Sequence, residues 1–385
     1  MREDWLRKLE QELSGLHEKG RYRSLRTYDG IDFGSNDYLG FATDPKLKKE
    51  AIEALGSATL SSSSSRLLPG HHAEHLAAEK HFANFVGAES ALFFNSGYDA
   101  NHALLTTLPT RHDLILYDER SHTSIYDGVH ASLARSHRFA HNSADDLAYQ
   151  LERVGQRAQP AQVFVVLESV YSMDGDVANL KEIVDVTKEF KAITIVDEAH
   201  ATGVLGKHGE GLVKDTIGRN NNIITVHTCG KAFGAAGAFV CGSKTVTEYL
   251  INKARPFIYT TALPPMIPLQ IMNALRRLES EGDKLVLALW EKSCFARATL
   301  QGSLRRWYVP DGVTPIISII IGADEDALRA SHLLVEHGFD VPAIRPPTVH
   351  DGTARLRLNV SLRHSEDELR RAIEAIVGTE LEIAK

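Results

Sequence analysis

Apolar residues along this chain recur in two rhythms, and the way the rhythms alternate predicts its architecture. Short runs rich in β-branched and aromatic residues read as buried strands: Ala91 to Phe94, Leu114 to Tyr117, Val163 to Leu167, Ile193 to Asp197, Ile223 to His227 and Ala238 to Cys241. Most are separated by segments of helical spacing. That alternation is the signature of a mostly parallel sheet covered on both faces.

Before the sheet, Trp5, Leu6, Leu9, Leu13 and Leu16 fall at helical spacing over residues 3–19, with charges between them. Such a helix packs either on its own domain or on a partner subunit. A short strand from Ile31, turn-rich residues to Gly40 and a helix from Pro45 to Leu55 follow. After Pro264-Pro265 the pattern predicts one long helix over 266–305, leading away from the sheet. The remainder reads as a strand over Ile316 to Ile321, a helix from Glu325 to His337, and a strictly alternating strand from Ala354 to Ser361. In that last strand Arg355, Arg357 and Asn359 share one face, and Leu356, Leu358 and Val360 the other. Ser365 to Glu368 form a capping box opening the final helix. The expected division is an N-terminal helix and connecting segment (1–45), a large α/β domain (46–285) and a small C-terminal α+β domain (286–385).

Composition narrows the classes. Hydrophobic content of 43% and charged content of 24% fit a globular protein. A net charge of -7 with no basic cluster argues against nucleic acid as the main partner. Charges near Met1 stand where a signal peptide needs an apolar core, and no run reaches membrane-spanning length, so a cytoplasmic location and no membrane partner are expected. Cys229, Cys241 and Cys294 are too scattered for disulfides or a zinc knuckle; Cys229 is expected to line or back a site as a small apolar filler. His71-His-Ala-Glu-His75 matches a zinc-peptidase pattern, but no companion motif supplies a third carboxylate. Polar residues on the first turn of a helix running to Val86 are the better reading, and no metal is expected. Ser61 to Ser65 read equally as a flexible linker or as an active-site loop. Neither a Gly-x-Gly-x-x-Gly nor a Gly-x-x-x-x-Gly-Lys loop occurs, which weakens dinucleotide and nucleoside triphosphate hypotheses.

Candidate chemistry gathers where two strands stop. One ends at Asp197-Glu-Ala-His200, the next at Thr228-Cys-Gly-Lys231. In open α/β sheets the ligand crevice lies beyond the carboxyl ends of strands, so these residues converge. An amine that bonds an aldehyde, a carboxylate that holds a pyridine nitrogen protonated and a hydroxyl for a phosphate oxygen are the equipment for pyridoxal phosphate.

Five motifs then stand in order: Ser35-Asn-Asp-Tyr-Leu-Gly40, Asn95-Ser-Gly-Tyr-Asp-Ala-Asn101, Tyr171-Ser-Met-Asp-Gly-Asp176, Asp197-Glu-Ala-His-Ala-Thr-Gly203 and Thr228-Cys-Gly-Lys-Ala-Phe-Gly234. Together they resemble the α-oxoamine synthases, and the likeness covers nearly the whole chain. The resemblance implies an aminotransferase-like fold (type I among pyridoxal phosphate enzymes), a homodimer with shared sites, and condensation of an amino acid with an acyl thioester with loss of carbon dioxide. By the same resemblance Lys231 is the Schiff-base lysine and Asp197 the partner of the pyridinium nitrogen. His200 and Ser172 serve the phenolic oxygen, and His122 stacks over the ring and assists proton transfer. Gly97, Tyr98 and Thr228 meet the phosphate, and Thr260 and Thr261 reach that of a neighbouring subunit. Arg357 grips the amino-acid carboxylate, though periodicity alone does not separate it from Arg355. Thr348 falls at a substrate contact, and one of Lys19, Arg21 or Arg23, taken as Arg21, meets the acyl chain. Two departures stand out: Ser61 to Ser65 replace a usually glycine-rich loop, which predicts another loop path, and Cys229 stands where a hydrophobic residue is common, a mild change. A plain aminotransferase and a non-catalytic scaffold subunit are the rival classes; the intact Lys231, Asp197 and His122 set speaks against the scaffold.

Overall fold

The structure, a computed structural model, describes residues 2–383 except 26, 28, 29, 57, 158, 159 and 219–221. In chain order the first elements are α1 (Arg2–Glu18), β1 (Ile31–Asp32), α2 (Pro45–Leu55), α3 (Ala73–Val86), β2 (Ser90–Phe94), α4 (Gly97–Thr107), β3 (Leu114–Asp118), α5 (Thr123–Ala131), β4 (Arg135–Phe139) and α6 (Ala144–Arg157). Then come β5 (Val163–Glu168), α7 (Leu180–Glu189), β6 (Ile193–Asp197), α8 (Leu212–Thr216), β7 (Ile223–Thr228), β8 (Ala238–Gly242), α9 (Lys244–Lys253) and α10 (Arg255–Ile258). The chain closes with α11 (Met266–Ser303), β9 (Ile316–Gly322), α12 (Asp324–Glu336), β10 (Phe339–Asp340), β11 (Ala343–Ile344), β12 (Ala354–Asn359) and α13 (Glu366–Ile383).

Seven strands form the large sheet in the order β2-β8-β7-β6-β5-β3-β4. Only β8 runs against its neighbours β2 and β7; every other pairing is parallel. Alternate residues of β5 enter opposite cores, Phe164 and Val166 on one face, Val165 and Leu167 on the other. Helices cover both faces, which is why these strands read as unbroken apolar runs. In α7, for example, Leu180, Ile183, Val184 and Thr187 form the buried stripe. The expected mostly parallel α/β architecture with a smaller C-terminal unit is what the chain adopts.

β4 carried no apolar signal because it is an edge strand: Arg135, His137 and Arg138 are exposed and Phe139 alone is buried. Backbone pairing to β3 holds it in place. At the other end of the molecule β11, β12 and β9 make a three-stranded antiparallel sheet. The connecting segment contributes to this region, since β1 pairs in parallel with β10. The capping box of α13 forms in both directions, Ser365 N–H to Glu368 Oε2 at 2.7 Å and Glu368 N–H to Ser365 Oγ at 3.1 Å. Along α1 the apolar stripe of Trp5, Leu6, Leu9, Leu13 and Leu16 is exposed.

The serine run is an ordered loop. Ser62 Oγ donates to the Leu263 carbonyl at 2.7 Å, and the Ser64 carbonyl accepts from Ala262 N–H at 3.0 Å. Ser63 has φ 55, the left-handed conformation that a glycine would take without strain. Ser63→Gly is therefore expected to stabilise the protein by about 0.5–1 kcal/mol, the left-handed penalty less the entropy a glycine adds to the unfolded chain, read from denaturant titration.

Candidate active site

Parallel register sets the floor of the site. Glu168 ends β5 directly beside Asp197 at the end of β6, and β7 ends alongside at Thr228. Beyond β7 the chain turns tightly into β8, with Gly234 N–H on the Lys231 carbonyl at 3.0 Å and Ala235 N–H on that of Cys229 at 2.9 Å. Glycine is required at 234: φ is 60, and a Cβ would lie 2.3 Å from the Ala42 nitrogen. Lys231 is thereby aimed back over the strand ends.

Two hydrogen-bond chains meet there. In the first, Lys231 Nζ lies 2.7 Å from His200 Nε2, and His200 Nδ1 lies 2.7 Å from the Tyr38 hydroxyl. Tyr38 donates to Asn36 Oδ1 at 3.1 Å, which also accepts from Arg357 Nη2 at 3.1 Å. The tyrosine proton being used on Asn36, His200 donates from Nδ1 and accepts from Lys231 at Nε2, a neutral ring with an assigned tautomer. In the second chain, His122 Nδ1 lies 2.8 Å from Ser124 Oγ, which accepts from Asn101 Nδ2 at 3.0 Å. Asn101 also donates to Asp197 Oδ2 at 2.7 Å, and Ala199 N–H takes the other oxygen at 2.9 Å. The backbone N–H of His122 meets Glu168 Oε1 at 2.5 Å.

Burial dominates the electrostatics. It pulls the Lys231 amine down to about 8, against the opposing pull of Asp197 and Glu168. Burial, and then the Lys231 charge, hold His200 well below its ordinary range. Burial also lowers His122, and it raises Glu168 well above a normal carboxyl, with Asp197 adding to the rise. An amine near 8 has an accessible lone pair at neutral pH, which a solvated lysine lacks.

An anion seat adjoins this cluster. Ser96 caps α4, leaving the first N–H groups, including those of Gly97 and Tyr98, directed outward. A Cβ on Gly97 would sit 3.6 Å from that of Thr228, so helix start and hydroxyl face the same space. Nucleophilic amine, buried carboxylate, neutral imidazoles and anion seat fit an aromatic aldehyde carrying a phosphate. Pyridoxal phosphate has that composition.

The structure thus brings together Lys231, Asp197, His200, His122, Thr228, Gly97 and Arg357. Ser172 joins through its carbonyl, which accepts from Arg357 Nε at 2.7 Å. Thr260 joins through Asn95, whose Nδ2 donates to its hydroxyl at 3.1 Å and to the Thr261 carbonyl at 2.9 Å. Tyr98 turns its side chain outward to Asp127, and Thr261 and Thr348 are exposed. Arg21 pairs with Asp351 at 3.0 Å and Asp324 at 3.5 Å, tying the N-terminal segment to the C-terminal unit. Arg355 and Arg357 are now distinguished: Arg355 pairs with Asp174, whereas Arg357 has no carboxylate partner among the described residues. Cys229 is fully buried behind the site, its thiol pushed up by burial. From the first turn of α3, His75 Nε2 donates to the Leu263 carbonyl at 2.9 Å. Among the described residues no group of three or more metal-binding side chains forms.

Asn36, Tyr38, Asn101, Ser124 and Glu168 escaped the reading of individual residues. Asn36, Tyr38 and Asn101 lie inside two of the five motifs, and Glu168 ends an apolar run as Asp197 does, which was the available signal.

Residues 28–376 match the family described as aminotransferase class I and II. The chain is 40% identical over 390 residues to a putative 8-amino-7-oxononanoate synthase of Desulforudis audaxviator, covering 98% of this chain and 99% of that one. It is 39% identical over 392 residues to the 8-amino-7-oxononanoate synthase of Trichlorobacter lovleyi, with the same coverage. Among solved structures, the Sphingomonas wittichii serine palmitoyltransferase is similar with TM-score 0.86 and 32% identity over 92% of this chain and 88% of that one. The Francisella tularensis 8-amino-7-oxononanoate synthase gives TM-score 0.75 and 32% identity over 92% and 98%. The chain belongs to the class I and II aminotransferase family, and within it to the pyridoxal-phosphate-dependent α-oxoamine synthases.

Because Tyr38 is fully buried and supplies the acceptor for His200, Tyr38→Phe leaves a buried ring N–H without a partner. The expected cost is about 1–3 kcal/mol of stability, measured by denaturant titration against wild type.

Proposed function

We propose that this enzyme joins L-alanine to a pimeloyl thioester, giving 8-amino-7-oxononanoate, carbon dioxide and free thiol, as a cytoplasmic homodimer serving biotin synthesis. The observation that carries a carboxylate-bearing amino substrate is Arg357. It is buried, lacks a carboxylate partner among the described residues, and is linked through Asn36, Tyr38 and His200 to the Lys231 amine. The choice of alanine and of a pimeloyl chain is supported by the 8-amino-7-oxononanoate synthases that the chain resembles end to end.

Pyridoxal phosphate, when bound, supplies an electron sink for charge developing at the amino acid Cα. Lys231 would hold the cofactor aldehyde, and its amine, when free, would take the Cα proton of the amino acid. His200, neutral and fixed by Tyr38, keeps that amine oriented and serves the phenolic oxygen together with Ser172. Asp197, held by Asn101 and the Ala199 N–H, keeps the pyridine nitrogen protonated. His122 would cover the ring and would carry protons near the reacting carbon. Gly97, Tyr98 and Thr228 hold the phosphate, with Thr260 and Thr261 reaching that of the second copy. Arg357 grips the carboxylate until it leaves as carbon dioxide. Thr348 contacts substrate, and Arg21 directs the acyl chain. The segment 1–45 with the small unit 286–385 flanks a large cofactor-binding domain, 46–285.

A second reading within the class is serine palmitoyltransferase activity, supported by the TM-score of 0.86 to a serine palmitoyltransferase, with glycine C-acetyltransferase activity as the other alternative. One methylene in a pocket is worth only about 1–3 kcal/mol, so the same cofactor residues serve all three. Purified protein offered alanine, glycine or serine against a panel of acyl thioesters decides among them. Alanine with pimeloyl thioester should give the highest kcat/KM, with thiol and carbon dioxide released one to one; amino transfer without thiol release would instead make it a plain aminotransferase. Lys231→Ala should lose the borohydride-reducible attachment of cofactor and at least about a thousandfold of turnover. In the wild type that attachment should form faster as pH rises through about 8, where the amine sheds its proton. Equal cofactor retention without a covalent bond in both proteins would contradict the role given to Lys231.

A further inference from the structure

Behind the loop that follows β5 lies a second set of buried titratable groups. His141, between β4 and α6, has Nδ1 2.9 Å from Asp118 Oδ1 and Nε2 2.9 Å from Asp176 Oδ2. Ionised carboxylates only accept, so both ring nitrogens carry hydrogen and His141 is an imidazolium. Asp118 is fully buried; burial pushes its carboxyl upward, but the bonds from His141, Asn142 N–H and Arg120 N–H bring it below its ordinary value. The second Asp118 oxygen accepts from the Tyr171 hydroxyl and from Asn142 N–H, each at 2.7 Å. The other ionisable groups around His141 are Glu119, which accepts its N–H at 3.3 Å, and the Tyr171 ring, edge-on at 4.4 Å. Asp146 on α6 holds the Ala140 N–H at 2.7 Å, and Arg120 pairs with Asp174 at 3.1 Å.

The opposite side of the same segment is held residue by residue by the C-terminal unit. Arg357 donates to the Ser172 carbonyl, Ser318 to that of Met173, and Thr314 to that of Gly175, while Arg355 pairs with Asp174. At Gly175, with φ 71, a Cβ would lie 2.4 Å from the Ile316 carbonyl oxygen. Residues 172–175 are therefore backbone on which the large sheet's loops and the small sheet meet, and one of their carbonyls orients Arg357.

We propose that His141 is a positioning residue for the amino-acid carboxylate: its imidazolium locks the segment 171–176 to Asp118, and that segment fixes the Arg357 guanidinium. The inference rests on the role given to Arg357 above. Burial disfavours the charged ring, but Asp118 and Asp176 outweigh it and raise His141 from 6.5 to about 9. A raised histidine contributes its full stabilisation below the unfolded value of 6.5 and loses it as pH climbs through about 9.

Hydrogen–deuterium exchange of the full-length protein, corrected for the intrinsic pH dependence of exchange, reads the segment without any substrate. In wild type, protection of the amides over 171–178 should fall about tenfold between roughly pH 7 and pH 10. His141→Gln should abolish that step, lower protection at neutral pH by about tenfold, and raise KM for the amino acid by about tenfold with a smaller change in kcat. Adding Asp176→Asn to His141→Gln, which removes the unpaired carboxylate, should restore part of both. Protection that ignores both pH and the substitution overturns the clamp. Protection that falls while KM stays fixed overturns its link to Arg357. Absence of turnover with every amino acid would sink the proposed reaction instead, and the exchange arm would still decide whether His141 holds the segment.

Discussion

Placing Glu168 beside Asp197 on adjacent parallel strands, with the Lys231 amine brought over them from the next strand, is the constraint on which the rest of the site depends. Two carboxyls and an amine taken out of water repel, attract and lose hydration at once, and in a poorly polarisable interior each effect is amplified. The chain answers with donors to the buried oxygens: Asn101 and the Ala199 N–H for Asp197, the His122 N–H for Glu168, whose carboxyl burial and the neighbouring Asp197 still hold well above its ordinary range. Burial of the amine then acts as chemistry, since it is what brings Lys231 down to about 8.

The two hydrogen-bond chains also join parts of the molecule distant in sequence. Asn36 and Tyr38 come from the segment before α2, His200 and Lys231 from the large sheet, Arg357 from the small one. Arg357 therefore receives its orientation from both sides, from Asn36 and from the Ser172 carbonyl. A guanidinium held at two points loses less freedom when it takes a carboxylate, which is the physical advantage of placing it at the seam between units.

Much of this was legible in the chain. Buried strands such as β5 and β6 carry their own apolar signature, and the polar residues that stop them, Asp197 and Thr228, mark the crevice by the geometry of parallel sheets. The edge strand β4 was not legible, because its pairing is backbone to backbone and its side chains Arg135, His137 and Arg138 face water. Nor was the separation of Arg355 from Arg357, since both lie on one face of β12 and only the tertiary position of Asp174 tells them apart. Tyr38 was hidden for a similar reason: its partner His200 is 162 residues away.

The serine run illustrates how a local departure from a family pattern is absorbed. A glycine loop gains its path from permissive backbone; here hydroxyls do part of that work, with Ser61 Oγ accepting the Ser63 N–H at 3.0 Å and Ser62 tied to Leu263. One position, Ser63, still takes the left-handed conformation and bears the strain. The loop leads directly into Arg66, whose guanidinium is buried against Glu79 at 2.9 Å and lies over the Phe257 ring. Glu79 in turn accepts the Phe93 N–H at 2.8 Å, in the strand that precedes Asn95 and the anion seat. Breaking the Arg66 pair would leave a buried carboxyl uncompensated, so the loop's exit is anchored more firmly than its middle. The loop is thus tied at both ends, by Ser62 and Ser64 to the Leu263 carbonyl and Ala262 N–H and by Arg66 to Glu79, with the left-handed strain confined to Ser63.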